Sequence, residues 1–321
     1  MTTDSKCYLA MDVGGTNVTA GLVDDHGRVL ARHHFPTRAS RPPEEVIADM
    51  AGALKRLTDG RPGCSRPLAL AVGLPGWINP AEGILLQAPN MPGWVNVPMA
   101  EIMSRALEMP VRLENDTSLY ALGEWLYGAG RGLSNLLIIT LGTGVGGGLI
   151  LENKLWNGAF ASAVEIGHTP LCIEGGALCG CGRRGCLETV ASATGMSRLG
   201  RQWLAAGQPS AYAGRPEELT PQVMFNLAQD GDEMAVSVFH EAGRALGMVI
   251  STTLNLLGLE GVVIGGGAAG AFEFIEPSLR ASVAERLIVA TPDKVKILQG
   301  TLGQDAPLVG AAALLREHYW Y

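Results

Sequence analysis

Hydrophobic and polar positions along the chain fall into one pattern that occurs twice. Residues 8–13 are a short apolar run that stops at Gly14-Gly15-Thr16-Asn17. A strand is predicted over 18–23, a tight turn at Asp24-Asp25-His26-Gly27, and a returning strand over 28–33. From Pro43 the period changes: Val46, Ile47, Met50, Leu54 and Leu57 recur at helical spacing, with Pro43 in the first turn. Residues 68–74 are a continuous apolar run, as expected of a strand covered on both faces. A stretch rich in Pro, Gly and Trp over 75–98 reads as loop. A helix over 99–107, a strand over 111–113 and a helix over 117–127 complete the first part.

The second part repeats that order. A strand over 136–141 ends in Gly142-Thr143-Gly144-Val145-Gly146-Gly147-Gly148, residues 149–151 leave that loop, Glu152-Asn153 turns, and 154–156 returns. Helices are predicted over 189–206, 221–229 and 232–257, then a strand over 261–264, a helix over 271–287, a strand over 295–297 and a closing helix over 306–317. Each half therefore reads β-β-β-α-β-α-β-α, an α/β organisation with a Gly loop after its first strand. Two such halves are expected to face each other across a cleft, with the loops pointing into it. The expected division is a small N-terminal lobe over 1–116, completed by the last helix at about 306–321, and a larger lobe over 117–305.

Composition narrows the class. Hydrophobic residues make up 47% of the 321 and charged residues 17%, so a large apolar interior is easily built. A net charge of −7 without basic clusters argues against binding nucleic acid or an anionic membrane. No apolar signal segment precedes Asp12. The most apolar span, 245–259, is broken by Ser251, Thr252, Thr253 and Asn255 and is shorter than the roughly 20 residues a bilayer needs. A cytoplasmic protein is expected.

The candidate chemistry sits in loops. Successive glycines let backbone N–H groups approach and cradle phosphate oxygens. The first cradle is Gly14-Gly15-Thr16-Asn17 with Asp12 at its mouth, placed to hold Mg²⁺ directly or through water. The second runs from Gly142 through Thr143, Gly144 and Gly146. A third run, Gly265-Gly266-Gly267-Ala268-Ala269, follows a strand and opens a helix, where backbone can pack on a base or ribose. Gly142, Gly144 and Gly147 formally match the dinucleotide fingerprint, but that motif needs a helix directly after the loop, and here a hairpin follows. Asp116, where a strand gives way to a helix, reads either as a helix N-cap or as a general base for a hydroxyl attacking a phosphoryl group. The two roles can coexist.

Between Glu165 and Glu188 lie His168, Cys179, Cys181 and Cys186, with glycines at 180, 182 and 185 between the thiols. One imidazole and three thiolates make a soft tetrahedral set of the kind that holds structural zinc. The alternative is a Gly-rich surface loop with unpaired cysteines; disulfides fit less well, since Cys179 and Cys181 are too close to pair comfortably. Four protein ligands leave no open position, so the metal shapes the loop rather than reacting. It would present Glu165, Glu188 and the free edge of His168 to a ligand.

Asp12-x-Gly14-Gly15-Thr16, Pro89-Asn90-Met91-Pro92-Gly93-Trp94, Asn115-Asp116, the 141–148 Gly loop, Glu165-Ile166-Gly167-His168 and Cys179-x-Cys181-Gly182-x-x-Gly185-Cys186-Leu187-Glu188 together resemble the ROK family of repressors, open reading frames and sugar kinases. The match spans essentially the whole chain, in order. The resemblance implies a two-lobed actin-like fold of the hexokinase/Hsp70 ATPase type. It also implies ATP- and Mg²⁺-dependent phosphorylation of a hexose or N-acetylhexosamine, usually at the 6-hydroxyl, in a homodimer. By that resemblance Asp116 is the catalytic base. Asn90, Asn115, Asp116, Glu165, His168 and Glu188 bind the sugar. Gly14, Gly15, Gly142, Thr143, Gly144 and Gly146 hold phosphates, and Gly266 and Gly267 lie by the adenosine. Glucose is favoured, then N-acetylmannosamine or N-acetylglucosamine, with fructose behind. The chain departs from the family at Ala161 and Val164, where glycines are usual, and at Thr117-Ser118, where Ala-Asn is usual. These changes bear on the choice of sugar and on turnover. A catalytically weak sugar-binding regulator of the same family is the second expectation. A DNA-reading repressor is disfavoured, because only eleven residues precede Asp12.

Overall fold

A computed structural model describes residues 6–58, 64, 66–159, 164–172, 174–288 and 291–316. The chain opens with β1 (Cys7–Val13), β2 (Asn17–Asp24) and β3 (Val29–Pro36), followed by α1 (Pro43–Thr58) and β4 (Leu70–Leu74). Short strands β5 (Trp77–Asn79), β6 (Ile84–Gln87) and β7 (Val95–Val97) precede α2 (Met99–Leu107), β8 (Val111–Asn115) and α3 (Asp116–Leu126). The repeat then begins with β9 (Leu136–Leu141), β10 (Val145–Leu151) and β11 (Lys154–Leu155). Helices α4 (Glu188–Ala191), α5 (Ala193–Ala205), α6 (Pro221–Gln229) and α7 (Glu233–Leu257) follow, then β12 (Gly261–Gly265), α8 (Phe272–Arg286), β13 (Lys296–Gln299) and α9 (Ala306–Leu315).

The two main sheets have the same order, β3-β2-β1-β4-β8 and β11-β10-β9-β12-β13. In the first, β1 runs antiparallel to β2 and parallel to β4, which runs parallel to β8. In the second, β10 and β11 form the antiparallel hairpin and β12 lies parallel between β9 and β13. The duplication expected from the order of apolar runs is thus realised strand for strand. Parallel strands with both faces covered read as unbroken apolar runs, and every residue of β4 and β12 is buried.

By internal packing the chain divides into two compact units. One comprises Met1–Gly132, Gly148–Ala163 and Gln304–Tyr321, the other Leu133–Gly147 and Val164–Gly303. In the first, α1 buries the apolar stripe Val46, Ile47, Met50, Leu54 and Leu57, and its acidic first turn and basic last turn suit the helix dipole. The nearly all-apolar α9 packs on α3 so closely that a Cβ at Gly310 would clash with the Leu119 carbonyl oxygen. In the second, Asp232 caps α7 by accepting the Ala235 N–H at 2.9 Å, and Gly258 in the left-handed region ends it. Gly243 and Gly247 bring α7 against Ser278 and Ser282 of α8. Among the described residues, no helix is long and apolar enough to cross a membrane.

Three local expectations are corrected. The stretch 75–98 is not all loop: β5, β6 and β7 form a small sheet that buries Ile78, Leu85 and Val97 while Trp77, Leu86 and Val95 stay exposed. Strands of three or four residues are too short for an alternating pattern to show. The helix predicted over 189–206 is broken at Ser192, whose hydroxyl accepts the Gly195 N–H at 2.9 Å and so caps α5. The second Gly loop is shorter than predicted, because β10 already begins at Val145. A disulfide about which no expectation was formed joins Cys7 and Cys64, 57 residues apart in sequence, with Cα atoms 6.1 Å apart.

Candidate active site and metal centre

In the first unit the candidate residues collect at the ends of neighbouring strands. Asp12 on β1 is in register with Gly73 on β4, which is in register with Glu114 on β8. A Cβ at Gly73 would lie 3.4 Å from Asp116 Cα and 2.9 Å from Leu119, so the bare glycine lets α3 start close against the sheet. Burial, and then the neighbouring Asp116 carboxylate, push the Asp12 carboxyl up to about 7. Two acids so placed suit a divalent cation, and Asp12 is the residue that would hold it.

The N-cap of α3 is Asn115, not Asp116. Its Oδ1 accepts the Thr117 N–H at 2.9 Å and the Ser118 N–H at 3.2 Å. Asp116, the first helical residue, accepts the Thr117 N–H at 2.8 Å and lies 3.2 Å from the Thr117 hydroxyl, both through Oδ1. The first glycine turn closes by a bond from Gly14 N–H to Asn17 C=O at 2.8 Å. Thr37 pins it from outside: its hydroxyl donates to Gly14 C=O at 2.6 Å and its N–H to Thr16 C=O at 2.8 Å. A Cβ at Gly15 would stand 2.8 Å from the Asn90 carbonyl oxygen, so the turn and Asn90 are in contact, while Thr16, Asn17 and Asn90 are exposed.

In the second unit the loop Gly142-Thr143-Gly144 is anchored at several points. Gly142 C=O accepts the Ala193 N–H at 2.8 Å, and Thr143 C=O accepts the Thr194 hydroxyl at 2.9 Å. Val145 N–H donates to Glu188 Oε2 at 3.0 Å. Gly266, at φ +84°, abuts this loop's root: a Cβ there would be 2.5 Å from the Leu141 carbonyl oxygen. Gly267 begins the 3₁₀ turn Gly267–Ala271 that leads into α8. Gly146 lies within β10, outside the loop proper.

His168, Cys179, Cys181 and Cys186 converge, with one ligand atom from each all within 4.8 Å of one another. Cys179 Sγ is 3.6 Å from His168 Nδ1, and Cys181 Sγ is 3.7 Å from Cys186 Sγ. A tetrahedral zinc with ordinary bond lengths sets S···N at about 3.6 Å and S···S at about 3.8 Å, so the donor set and its spacing fit zinc. Without a metal, burial pushes the Cys179 thiol up to about 12. His168 turns Nδ1 to the sulfurs and leaves Nε2 3.8 Å from Glu165 Oε2. Glu165 is half exposed, and Val164 before it has φ +67°. The side chain of Val164 fills the space beside Gly147, where a Cβ would meet its Cγ1 at 2.6 Å. Ala161, the other departure from the family pattern, lies outside the described residues.

Sequence reading missed Gly73, Thr37 and the anchoring role of Glu188 in the second loop. Gly73 carried a signal, a lone glycine inside an apolar strand. Thr37 carried none.

The duplicated sheets place the chain among the two-lobed actin-like ATPases. The sequence profile of the ROK family matches residues 8–318, and the chain belongs to that family. It is 33% identical to a glucokinase of Halalkalibacterium halodurans, over 97% of this chain and 96% of that protein. It is 32% identical to an N-acetylmannosamine kinase of Yersinia pseudotuberculosis, over 96% of this chain and 98% of that one. Among solved structures, a ROK glucokinase of Streptomyces griseus in complex with glucose and AMPPNP is similar with a TM-score of 0.83. It is 31% identical, and the match covers 97% of this chain and all of the other.

Proposed function

We propose that this chain is an ATP-dependent sugar kinase that transfers the γ-phosphoryl group to the 6-hydroxyl of a hexose. Glucose is the favoured acceptor, with N-acetylmannosamine or N-acetylglucosamine next. The observation that supports it best is the pairing of Asp12, on β1, with Asp116, just past the end of β8 and across β4 from it, in a chain alike over nearly its full length to glucokinases. Asp116 takes the proton of the 6-hydroxyl as its oxygen attacks the γ-phosphorus, the bond to the β–γ bridging oxygen breaks, and ADP leaves. Because Asn115 spends its carbonyl oxygen on the helix cap, its amide Nδ2 is the group that donates to a sugar oxygen. Glu165 and Glu188 accept sugar hydroxyls, His168 adds Nε2, and Asn90 a further amide. Carboxylates suit this work because each accepts two donors in a fixed geometry.

The turn at Gly14, Gly15, Thr16 and Asn17 and the loop at Gly142, Thr143, Gly144 and Gly146 carry the nucleotide's phosphates, and Gly266 and Gly267 its adenosine. Asp12 would hold Mg²⁺, which supplies charge neutralisation at the phosphates. His168, Cys179, Cys181 and Cys186 would hold a structural Zn²⁺, which fixes the tautomer and orientation of His168. An acidic, cytoplasmic homodimer that binds no nucleic acid completes the reading.

Sugar-dependent ADP release, measured across a panel of hexoses with ATP and Mg²⁺, tests the activity. Asp116→Asn is expected to keep sugar affinity while turnover falls by a factor on the order of 10²–10⁴. A panel in which no sugar stimulates ADP release removes the kinase reading. Near-normal turnover of Asp116→Asn removes Asp116 as the base.

A further inference from the structure

The acid immediately before the candidate substrate-binding pair is buried and fully engaged. Glu114 is 4% exposed on β8. Its Oε1 accepts the Asn115 backbone N–H at 2.9 Å, and its Oε2 accepts Asn157 Nδ2–H at 2.9 Å. The Ser118 hydroxyl bonds it as well. Ser118 also donates its backbone N–H to Asn115 Oδ1 at 3.2 Å. Asn115 is thus held at both ends, by Glu114 at its backbone and by the start of α3 at its side chain. Asn157 comes from the loop after β11, far away in sequence but in the same unit.

We infer that Glu114, braced by Asn157 and Ser118, is a positioning residue that fixes Asn115 and through it the orientation of Asp116 toward the sugar. The inference rests on the kinase reading above and adds to it a role for two residues outside the predicted set, Glu114 and Asn157. It also gives a physical account of Ser118, one of the departures from the family pattern, since a serine hydroxyl here reaches the carboxyl of Glu114.

The geometry around the group also admits a neutral acid. Burial raises the proton affinity of Glu114 more than its three hydrogen bonds lower it. Asn157 Oδ1 is buried and has no donor among the described residues. With the Asn157 amide turned over, a protonated Glu114 donates its O–H to that oxygen, and Oε1 still accepts from Asn115. A glutamine at 114 reproduces this pattern, its carbonyl accepting from Asn115 and its NH₂ donating to Asn157. An alanine reproduces neither bond and leaves the Asn115 N–H unpaired.

The test compares wild type, Glu114→Gln, Glu114→Ala and Asn157→Ala, with sugar and ATP varied separately and each variant assayed well below its melting temperature. Sugar affinity is measured in parallel by calorimetry. Glu114→Ala and Asn157→Ala are expected to raise the sugar KM and Kd about tenfold, the size of one lost buried hydrogen bond, with the ATP KM within about twofold of wild type. Glu114→Gln restores the sugar KM to within about twofold of wild type. Asn157 is only partly buried, so its variant reports even if Glu114→Ala does not fold. Unchanged sugar affinity in Asn157→Ala, or equal rises in both KM values, overturns the inference, as does Glu114→Gln failing as badly as Glu114→Ala. An inactive wild type with every sugar instead defeats the kinase reading itself.

Discussion

Glu188 Oε2 accepts the backbone N–H of Val145 at 3.0 Å, which bonds the first acid after the cysteine knot to the strand that leaves the second glycine loop. Its other oxygen lies 3.4 Å from Cys179 Sγ. A Cβ on Gly144 would fall on the same carboxylate, so the loop approaches it without side chains in between. One acid therefore ties a candidate sugar-binding loop to a candidate phosphate-binding loop, and its removal disturbs both. Glu188→Ala is expected to raise the KM for ATP as well as for sugar, each by about tenfold. Glu165→Ala, which removes an exposed carboxylate 3.8 Å from His168 Nε2, is expected to raise the sugar KM alone. Steady-state kinetics with each substrate varied in turn decides it; an unaltered ATP KM in Glu188→Ala breaks the proposed link.

The Cys₃His knot predicts one bound zinc per chain, detectable by metal analysis of the purified protein. In zinc-finger peptides such sites contribute roughly 10–16 kcal/mol to folding. Cys181→Ser, which removes the most exposed of the three thiol ligands, should therefore lower the melting temperature and weaken sugar binding while leaving the first unit's sheet intact. Loss of metal to a chelator should quicken as pH falls, because protons compete for the thiolates. Recovery of a well-folded native protein without zinc contradicts this.

The parts of the fold that were legible in the sequence are those with long periodic signals. Helix α2 is observed with the predicted ends, as is β9, and α7 starts at Glu233, one residue after its predicted start, and ends at the predicted Leu257. The knot was legible because four soft ligands at short spacing leave few geometric options. What stayed hidden needs contacts distant in sequence. Nothing local marks Thr37 as the brace of the first glycine turn, or Asn157 as the partner of Glu114. Asn115 and Asp116 are both acceptable N-caps, and only the positions of the Thr117 and Ser118 N–H groups assign the role to Asn115. The break at Ser192 falls among Thr189, Val190, Thr194 and Gly195, weak helix formers whose apolar spacing alone suggested one helix, and the Ser192 hydroxyl accepting from Gly195 starts a new one.

Val164 holds φ at +67°, a conformation that is strained for a β-branched residue and open to glycine. Its Cγ1 fills the space beside Gly147, so the side chain offsets part of the strain by packing. Truncation to alanine removes that packing and keeps the strain. Val164→Gly relieves about 1–2 kcal/mol of left-handed strain, against about 0.4–1 kcal/mol of added chain freedom in the unfolded state. Val164→Gly should consequently melt above Val164→Ala, by about 1 °C, the reverse of the order at an ordinary loop position. Scanning calorimetry of the two variants checks it; alanine melting higher than glycine would show that the backbone at 164 is relaxed.

Asp12 provides a pH signature whose sign can be worked out. Its folded-state value, raised from 3.8 to about 7, means that the native protein keeps a proton that the unfolded chain has already lost. Stability contributed through this group is thus greatest at low pH and declines as pH climbs between those two values. Without divalent cations, wild type should lose stability relative to Asp12→Asn between pH 5 and pH 8, since the amide does not titrate. Excess Mg²⁺ should shrink that difference at pH 8, where the ionised carboxylate can bind it. At sub-saturating Mg²⁺, wild-type turnover should climb as pH passes through about 7, because protons and the cation compete for one carboxylate. Melting curves for both proteins at the two pH values, with and without Mg²⁺, supply the comparison. Parallel pH dependences for wild type and Asp12→Asn would mean that neither burial nor the nearby Asp116 carboxylate raises the proton affinity of Asp12.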